Sequence, residues 1–228
     1  MKVLRNLENS IRNIICLPWS IIFNFHYLPV KQAVKLPILF QVIPTFLSLK
    51  GKVKITNENI HRGMIILGAK ISCQNERKKF RWQCHGTVVF GGEGILIGQQ
   101  SFIHVGEKAI LEIGQQSTFS LNLKIFCRNR IAFKDKNRVS WNCTFIDTDF
   151  HPLIDMVRHK SIPESNPIII GRGSWIGHDC IVSKGSYLAE NTTVSSGSVV
   201  KGHFKQPYTI IGGNPAIVID EGYKRDDV

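Results

Sequence analysis

A six-residue repeat runs without interruption through residues 170–200 and constrains the fold more than any other feature of the chain. Every sixth residue is apolar, and with 43% apolar residues overall, six such positions in register arise by chance about once in 150. The residue after each apolar position is small except at Lys201. The apolar positions are Ile170, Ile176, Val182, Leu188, Val194 and Val200, and the fifth positions of the complete repeats are Ser174, Cys180, Ser186, Thr192 and Ser198.

This period excludes a helix and a flat sheet. A helix has about 3.6 residues per turn and would spread the apolar positions over its whole surface, whereas a flat sheet shows simple alternation. Six residues fit one short strand and one tight corner, so three repeats make a triangular coil whose sides stack into parallel sheets. We therefore predict an all-β core, a parallel β-helix in which each coil buries its inner face against its neighbours.

The same spacing recurs upstream with shifts of register, as extra corner residues produce. Apolar runs that end in glycine predict further strands near residues 65–68 and 86–91. We expect the β-helix to run from about residue 52 to residue 200, in a domain of residues 51–228 that ends in a tail at 214–228. The upstream apolar positions are Ile97 and Ile103, then Ile113, Phe119, Ile125 and Ile131, then Phe133, Val139 and Phe145.

The N-terminal segment, residues 1–50, differs in composition from the rest. Residues 13–30 are uncharged and rich in Ile, Phe and Trp, but Pro18, Asn24, His26 and Pro29 interrupt them, which disfavours a membrane-spanning helix. No small-residue cleavage site follows, so a signal peptide is not expected. We predict short amphipathic helices that end near residue 49. Residues 13–49 then either cover the open end of the β-helix or contact a membrane surface.

The charge and the cysteines bound the partners and the compartment. A formal charge of +12 favours an anionic partner such as a phosphorylated cofactor, an acidic glycan or a membrane, although a solvated basic surface is an equal alternative. The basic residues are dispersed and no nucleic-acid-binding motif accompanies them, so no nucleic acid is expected. The six cysteines form no C-x-x-C pair, which indicates buried thiols in a reducing, cytoplasmic setting, with association at the inner face of the membrane left open.

A stretch without hexads, residues 147–168, interrupts the repeat domain and must leave the shaft as a loop. Loops on rigid scaffolds commonly carry chemistry. His151 lies in this loop between Asp147 and Asp149, and either carboxylate could hold one ring nitrogen and leave the other free as a base. We therefore take His151, Asp147 and Asp149 as candidate catalytic residues.

Six motifs follow one another on this register. They are D-F-H-P-L at 149–153, the arginine at 158, P-I-I-I-G at 167–171, W-I-G at 175–177, G-S-V-V at 197–200 and G-G-N-P-A at 212–216. In this order they resemble the hexapeptide-repeat O-acetyltransferases, in particular the maltose and galactoside acetyltransferases and the bacterial acyltransferases of capsule and surface-glycan synthesis. The resemblance covers about residues 97–219.

The resemblance implies a left-handed coil, which the period alone does not establish. It also implies a homotrimer with active sites between adjacent subunits and acetyl-CoA as the acyl donor. His151 then matches the catalytic base that activates a hydroxyl of a sugar or glycan acceptor. The positions that match the donor groove are Trp175, Gly177, Ser195, Ser196, Gly197, Lys201, Lys205 and Pro215.

The acceptor pocket is where the chain departs from the sugar acetyltransferases. Ser120 and Arg128 fall where the galactoside enzymes carry an asparagine and an aspartate, with Asn122, Asn142 and Arg158 as further candidates. An arginine in place of a carboxylate suggests a negatively charged acceptor.

Two alternatives remain open at this point. A zinc enzyme of the γ-carbonic anhydrase type would use histidines among His151, His159, His178 and His203, but the paired spacing of that family is absent and we expect no metal. A non-catalytic trimeric scaffold is the other alternative, because one fold serves many functions.

Overall fold

The computed structural model describes residues 14–70 and 79–226, which form a β-helix of three parallel sheets. Each coil adds one strand to each sheet in turn, so we call them the first, second and third sheets. The first sheet contains β1 (Ile38–Phe40), β4 (Ile65–Ala69), β7 (Ile95–Gly98), β10 (Thr118–Phe119), β13 (Arg138–Val139), β18 (Trp175–Ile176), β21 (Thr193–Val194), β24 (Thr209–Gly213) and β25 (Ala216–Glu221).

The remaining strands follow the same order. The second sheet contains β2 (Pro44–Ser48), β5 (Phe80–Cys84), β8 (Phe102–Val105), β11 (Lys124–Cys127), β14 (Thr144–Ile146), β19 (Ile181–Ser183) and β22 (Val199–Val200). The third contains β3 (Lys52–Ile55), β6 (Thr87–Phe90), β9 (Ile110–Ile113), β12 (Arg130–Phe133), β17 (Ile168–Ile170), β20 (Tyr187–Leu188) and β23 (His203–Phe204). Here the first corner joins the first and second sheets, and the second corner joins the second and third.

The hexad positions form the shaft of this prism, as the repeat predicts. All six apolar positions of residues 170–200 are at most 1% exposed, and the upstream apolar positions are at most 2% exposed. Large rings fill the middle coils, where Phe133 meets Phe119 at 4.9 Å and Phe145 at 4.7 Å between ring centroids in edge-to-face contact. The core is therefore continuous along the axis, and each coil depends on its neighbours.

The fifth position of each hexad does more than occupy little space. The hydroxyls of Ser174, Ser186 and Ser198 donate to the backbone carbonyl three residues earlier, at 3.0, 2.7 and 2.6 Å. These bonds satisfy carbonyls that the corner turns away from the sheet ladder. Small residues at the next position are also required, because a Cβ on Gly171 would lie 2.4 Å from the backbone of Ala189 in the next coil. Each corner therefore combines tight stacking with a side-chain hydrogen bond.

The N-terminal segment differs from the prediction in where its helices end. Helix α1 (Leu17–Tyr27) and the short helix α2 (Val30–Ala33) are followed by β1 and β2, which already belong to the prism. The β-helix therefore begins at Ile38, and the predicted boundaries near residues 50 and 52 are wrong. All of β1 is buried, so its apolar run resembles a helical cap in sequence and carries no hexad signal.

Helix α1 covers the open edge of the first sheet. The side-chain amide of Asn24 donates to the carbonyl of Ile38 at 2.7 Å and accepts from its N–H at 3.2 Å, while the Ser20 hydroxyl accepts from the N–H of Phe40 at 3.0 Å. Phe23 packs below them against Phe40 and Trp82, with centroid distances of 5.2 and 5.1 Å. Side chains of α1 thus take the place of a neighbouring strand, which protects the edge.

The opposite side of α1 is exposed and apolar. On α1 itself Ile21, Ile22 and Phe25 are 40–54% exposed, and Ile14 and Ile15, which precede α1, are 69% and 53% exposed. Within residues 14–70 and 79–226, no helix is long and apolar enough to cross a bilayer. One side of α1 therefore covers the sheet edge, and the other side presents apolar side chains to solvent.

Two segments depart from the coil. Residues 147–167, which we call the arm, leave the second corner and carry the antiparallel hairpin of β15 (Leu153–Asp155) and β16 (Lys160–Ile162). The end of the chain, predicted as a tail, instead forms β25, which runs antiparallel to β24. Of the cysteines, Cys73 lies outside the described residues, and Cys16, Cys84, Cys127, Cys143 and Cys180 are buried.

Candidate active site

The base of the arm is bonded to the coil, whereas its tip is exposed. Lys184, one coil further along, donates from Nζ to the Pro163 carbonyl at 2.7 Å and also pairs with the Asp149 carboxylate. The two legs bond to each other through the Asp149 N–H and the Glu164 carbonyl at 2.9 Å. The lysine side chain is only 13% exposed, so this clamp is partly shielded from solvent. The arm is therefore a positioned element at its base.

His151 follows a sharp turn at the end of the first leg. Phe150 has φ +60°, in the left-handed region that non-glycine residues rarely adopt. The Phe150 N–H donates to the Thr148 hydroxyl at 2.9 Å, and its ring packs edge-to-face on Phe126 at 6.1 Å. These contacts hold the turn, and the side chain of His151 is exposed beside it. The histidine is thus presented outward from an anchored backbone.

Asp147 has a different role from the one predicted. Its carboxylate is fully buried and accepts from the N–H groups of Arg128 at 2.7 Å and Asn129 at 2.9 Å. Burial raises the pKa of this carboxyl, although the two backbone hydrogen bonds oppose the shift. Because both oxygens are bonded to the preceding coil, Asp147 fixes the second corner and does not hold a ring nitrogen of His151. That expectation is corrected, while a role for Asp149 stays a prediction.

Five of the predicted donor-groove residues lie together along the first corner. Trp175, which is 43% exposed, donates from Nε1 to the Ser140 hydroxyl at 3.4 Å. Gly177 stacks under Ser196, where a Cβ would lie 2.6 Å from the serine N–H nitrogen. Gly197 has φ +72° and has open space around its Cα. The remaining member of this edge is Ser195, which follows β21 at the same corner.

The other three predicted donor-groove residues lie elsewhere in the chain. Lys201 follows β22 at the second corner, and Lys205 follows β23. Lys205 lines an 890 Å³ pocket on the third sheet together with Tyr187, His203 and the end of the arm. Pro215 lies in the turn between β24 and β25, after a cis peptide bond. In one chain the two lysines do not extend the edge that carries Trp175. Pro215 does continue it, because it follows Gly213, whose N–H donates to the Ser198 hydroxyl of the preceding coil at 3.1 Å.

The predicted acceptor residues divide between the two corners. Asn122 and Asn142 lie on the first corner, where the amide of Asn122 donates to Asn142 and that of Asn142 donates to Asp179, both at 2.9 Å. Ser120 begins the same corner two residues before Asn122, and its N–H donates to the carbonyl of Val139 at 2.8 Å. Arg128 lies on the second corner, where its side chain is 3.7 Å from Glu164 of the arm.

Arg158 lies at the tip of the arm. Its guanidinium bonds to Asp155 at 2.9 Å and is 78% exposed. The predicted acceptor residues are thus three groups in one chain, and their common role stays a prediction.

The ladder formed by Asn122 and Asn142 ends in Asp179 and Trp141, which sequence reasoning missed, and in His178, which it considered only as a zinc ligand. Asp179 bonds to the Nδ1 atom of His178 at 2.6 Å, and the imidazole of His178 stacks on Trp141 with centroids 4.8 Å apart and planes 3° from parallel. The bond to His178, followed by the bond from Asn142, lowers the pKa of Asp179. All of these side chains lie on the edge that carries Trp175. A signal was available, because Asn122, Asn142 and Asp179 all occupy left-handed corner positions that Asn and Asp tolerate.

The two candidate halves of a site therefore lie on different corners. His151 is carried by the second corner, and Trp175 with its neighbours is carried by the first. Among the described residues, no group of three or more His, Cys, Asp or Glu side chains is arranged to hold a metal ion.

Comparison with known proteins identifies the fold. The polySia-specific acetyltransferase NeuO is 20% identical with a TM-score of 0.52, covering 84% of this chain and 79% of its own. The polysialic acid O-acetyltransferase OatWY is 16% identical with a TM-score of 0.53, covering 78% of this chain and 72% of its own. A hexapeptide-repeat acetyltransferase from Vibrio cholerae is 16% identical with a TM-score of 0.45, covering 94% of this chain and 92% of its own. Neither a family model nor a curated protein matches the sequence.

The first two likenesses show the fold, which is the left-handed parallel β-helix of hexapeptide-repeat acetyltransferases.

Proposed function

We propose that the protein is an O-acetyltransferase that transfers an acetyl group from acetyl-CoA to a hydroxyl of a sugar or surface-glycan precursor. The observation that carries the proposal is His151, an exposed imidazole on an arm whose base is clamped to the coil. The same histidine stands in the D-F-H-P-L run that resembles the acetyltransferases. NeuO and OatWY, which share the fold, are acetyltransferases by their names.

In the proposed reaction His151 acts as a general base. Its unprotonated ring nitrogen takes the proton from the acceptor hydroxyl while that oxygen attacks the thioester carbonyl, and a backbone N–H stabilises the oxyanion. Collapse of the tetrahedral intermediate forms the ester bond and breaks the C–S bond. The imidazolium then returns its proton to the departing thiolate of CoA. No covalent enzyme intermediate is formed, so no activated nucleophile is needed on the arm.

The first corner is the proposed site for the donor. Ser196 and Gly197 are exposed and leave the backbone open to the pantetheine chain, while Gly177 is buried beneath Ser196 and allows the coils to stack closely. Trp175 forms a wall next to the thioester. CoA carries phosphates, and Lys201 and Lys205 supply cations for them. Because these lysines lie on other parts of the prism, we propose that a neighbouring subunit contributes them. Pro215 is assigned to the adenine end on resemblance alone.

This division between corners also supports the proposed homotrimer. A three-fold arrangement of prisms can place the second corner of one subunit against the first corner of the next, and the same contact then repeats around a closed ring. Each site would combine His151 from one subunit with Trp175 from its neighbour.

A CoA-thiol release assay with acetyl-CoA and a panel of sugars tests the proposed function. We expect H151N to lower kcat/KM by about 10²- to 10⁴-fold, since that is the usual contribution of a general base. His159 is a matched control because it lies on the same arm, and with φ +52° it tolerates asparagine. Equal activity of H151N, H159N and wild type would remove the catalytic assignment. No transfer to any sugar by the wild type would favour the scaffold alternative.

We further propose that the exposed side of α1 rests on a membrane. Ile21, Ile22 and Phe25 form an apolar surface, and Lys31 and Lys35 follow it in sequence, which suits an anionic bilayer. Cosedimentation with vesicles containing phosphatidylglycerol tests this, with phosphatidylcholine vesicles for comparison. The variant I21S/I22S/F25S is expected to lose binding, and unchanged sedimentation would contradict the proposal.

A further inference from the structure

A pocket of about 420 Å³ opens beside the second corner, on the outer face of the second sheet. Its wall exists because four residues, 106–109, separate β8 from β9, whereas two residues form the equivalent turns after β5 and β11. The longer turn projects Glu107 and Lys108 over the sheet. The other side chains that matter here are Gln83, His85, His104 and Arg128.

His104 provides a polar atom that lacks a partner. Within the part of the chain that the structure describes, its Nε2 atom is buried and has no hydrogen bond. The ring is held against Phe102 and Phe126, with centroids 6.2 Å from each. Burial, followed by the nearby charges of Arg128 and His85, lowers the pKa of His104, so the imidazole is neutral near pH 7. In the tautomer that carries its proton on Nε2, the neutral imidazole has an N–H without a partner in the wall of the pocket.

The pocket also has a positive charge excess. Arg128 and Lys108 line it against a single carboxylate, that of Glu107. A second carboxylate, that of Glu164 on the arm, is 3.7 Å from the Arg128 guanidinium, which is beyond ordinary hydrogen-bond length. Arg128 is therefore drawn toward the arm while its N–H donors remain available to a ligand. A guanidinium matches two oxygens of a carboxylate or phosphate at once.

Aromatic contacts connect this pocket to His151. Phe126 touches His104 on one side and Phe150 on the other, with centroid distances of 6.2 and 6.1 Å. Phe150 directly precedes His151 in the chain. A ligand anchored beside His104 is therefore adjacent to the leg of the arm that presents the histidine.

We propose that this pocket binds an anionic group of the acceptor, with Arg128 and the His104 Nε2–H as its donors. The inference rests on the proposed function and names its substrate class, which is an acidic sugar or glycan. Carboxylates and phosphates share this chemistry, and the experiment below separates them. The anchored anion holds the sugar so that a neighbouring hydroxyl reaches His151.

Matched acceptors test the inference. The acceptors are a galactose trisaccharide, a galacturonate trisaccharide that carries a carboxylate on each sugar, and a phosphorylated galactose trisaccharide. The second and third supply the carboxylate and the phosphate that the experiment compares. We expect wild type to prefer an acidic acceptor, and R128Q to lower the ratio of kcat/KM for acidic over neutral acceptors by about 10- to 100-fold, the range of a charge-assisted hydrogen bond. H104F keeps a ring between Phe102 and Phe126 and should lower the ratio severalfold. R62Q removes an exposed arginine elsewhere and should keep the wild-type ratio.

Calorimetric binding of the same trisaccharides without acetyl-CoA separates this inference from the proposed function. Binding of an acidic trisaccharide that is lost in R128Q supports the pocket even if no sugar is acetylated. A wild-type enzyme without acidic preference, or a preference unchanged in both R128Q and H104F, overturns it. Preference for the phosphorylated trisaccharide alone assigns the anion as phosphate. Circular dichroism and Tm confirm that each variant is folded.

Discussion

Replacing Asn24 by alanine should destabilise the whole β-helix, because this one side chain completes the edge of the first sheet. The Asn24 amide bonds both to the carbonyl and to the N–H of Ile38, and it also donates to the Ser20 carbonyl at 2.7 Å. Ile38 is fully buried, so water does not replace these bonds without a rearrangement of α1. The variant leaves one backbone donor and one backbone acceptor without partners.

The magnitude follows from those two groups. A buried polar group without a partner costs about 1–3 kcal/mol, so the pair costs about 2–6 kcal/mol. Alanine is the better helix former by about 0.5 kcal/mol, which offsets part of the loss. The expected net loss for N24A is therefore about 1.5–5.5 kcal/mol, a large share of the roughly 5–15 kcal/mol that a folded domain has in total.

Urea denaturation at a fixed protein concentration measures this loss. The midpoint for N24A should fall by about 1 M, given a slope of about 3 kcal/mol per M for a chain of this class. I22A is the matched control, because Ile22 lies on the exposed side of the same helix and should change stability by less than about 0.5 kcal/mol. If N24A and I22A unfold at the same urea concentration as wild type, α1 does not protect the sheet edge.

Two further predictions concern the arm and the acceptor pocket. K184M removes the clamp between the two legs of the arm. We expect kcat, measured by thiol release, to fall by about tenfold or more while Tm shows an intact fold, because misplacing a catalytic group by about 1 Å slows the reaction. An unchanged kcat would contradict the role of the clamp. The lowered pKa of His104 means that the unfolded chain takes up a proton that the folded chain resists, so stability should decrease as pH falls through about 6.5, more steeply in wild type than in H104F. The measurement runs from about pH 8 to about pH 5, a range that spans the ordinary pKa of histidine. Stability curves of the two proteins that stay parallel over this range would exclude the effect.

The shaft could be predicted because its residues obey a fixed period. Inward positions such as Ile176 and Val194 repeat with the coil, and burial of every coil needs the same kind of residue there. β1 was missed because all three of its residues are buried, so its sequence shows no alternation of buried and exposed positions that would indicate a strand. The side-chain bonds of Asn24 were also hidden, because a buried amide in an apolar helix has no sequence pattern that names its partner.

The candidate site was only partly predictable. The edge with Trp175 and Gly177 emerged because its small residues recur with the hexads, and the resemblance extends along it. The sequence could not show that Asp147 binds backbone N–H groups instead of His151, since the amides it binds belong to the preceding coil. The pocket at His104 depends on an extra-long turn and on packing across three coils, which hexad spacing does not encode.

Subunit complementation tests the central claim most directly, namely that one active site joins His151 of one subunit to Trp175 of the next. H151N and W175A carry different affinity tags, are coexpressed, and mixed trimers are isolated through both tags. Every mixed trimer then contains one intact site of three, so it should show about one third of wild-type activity while each parent trimer is nearly inactive. Mixed trimers as inactive as their parents, or a protein that sediments as a monomer at assay concentration, would contradict the shared site.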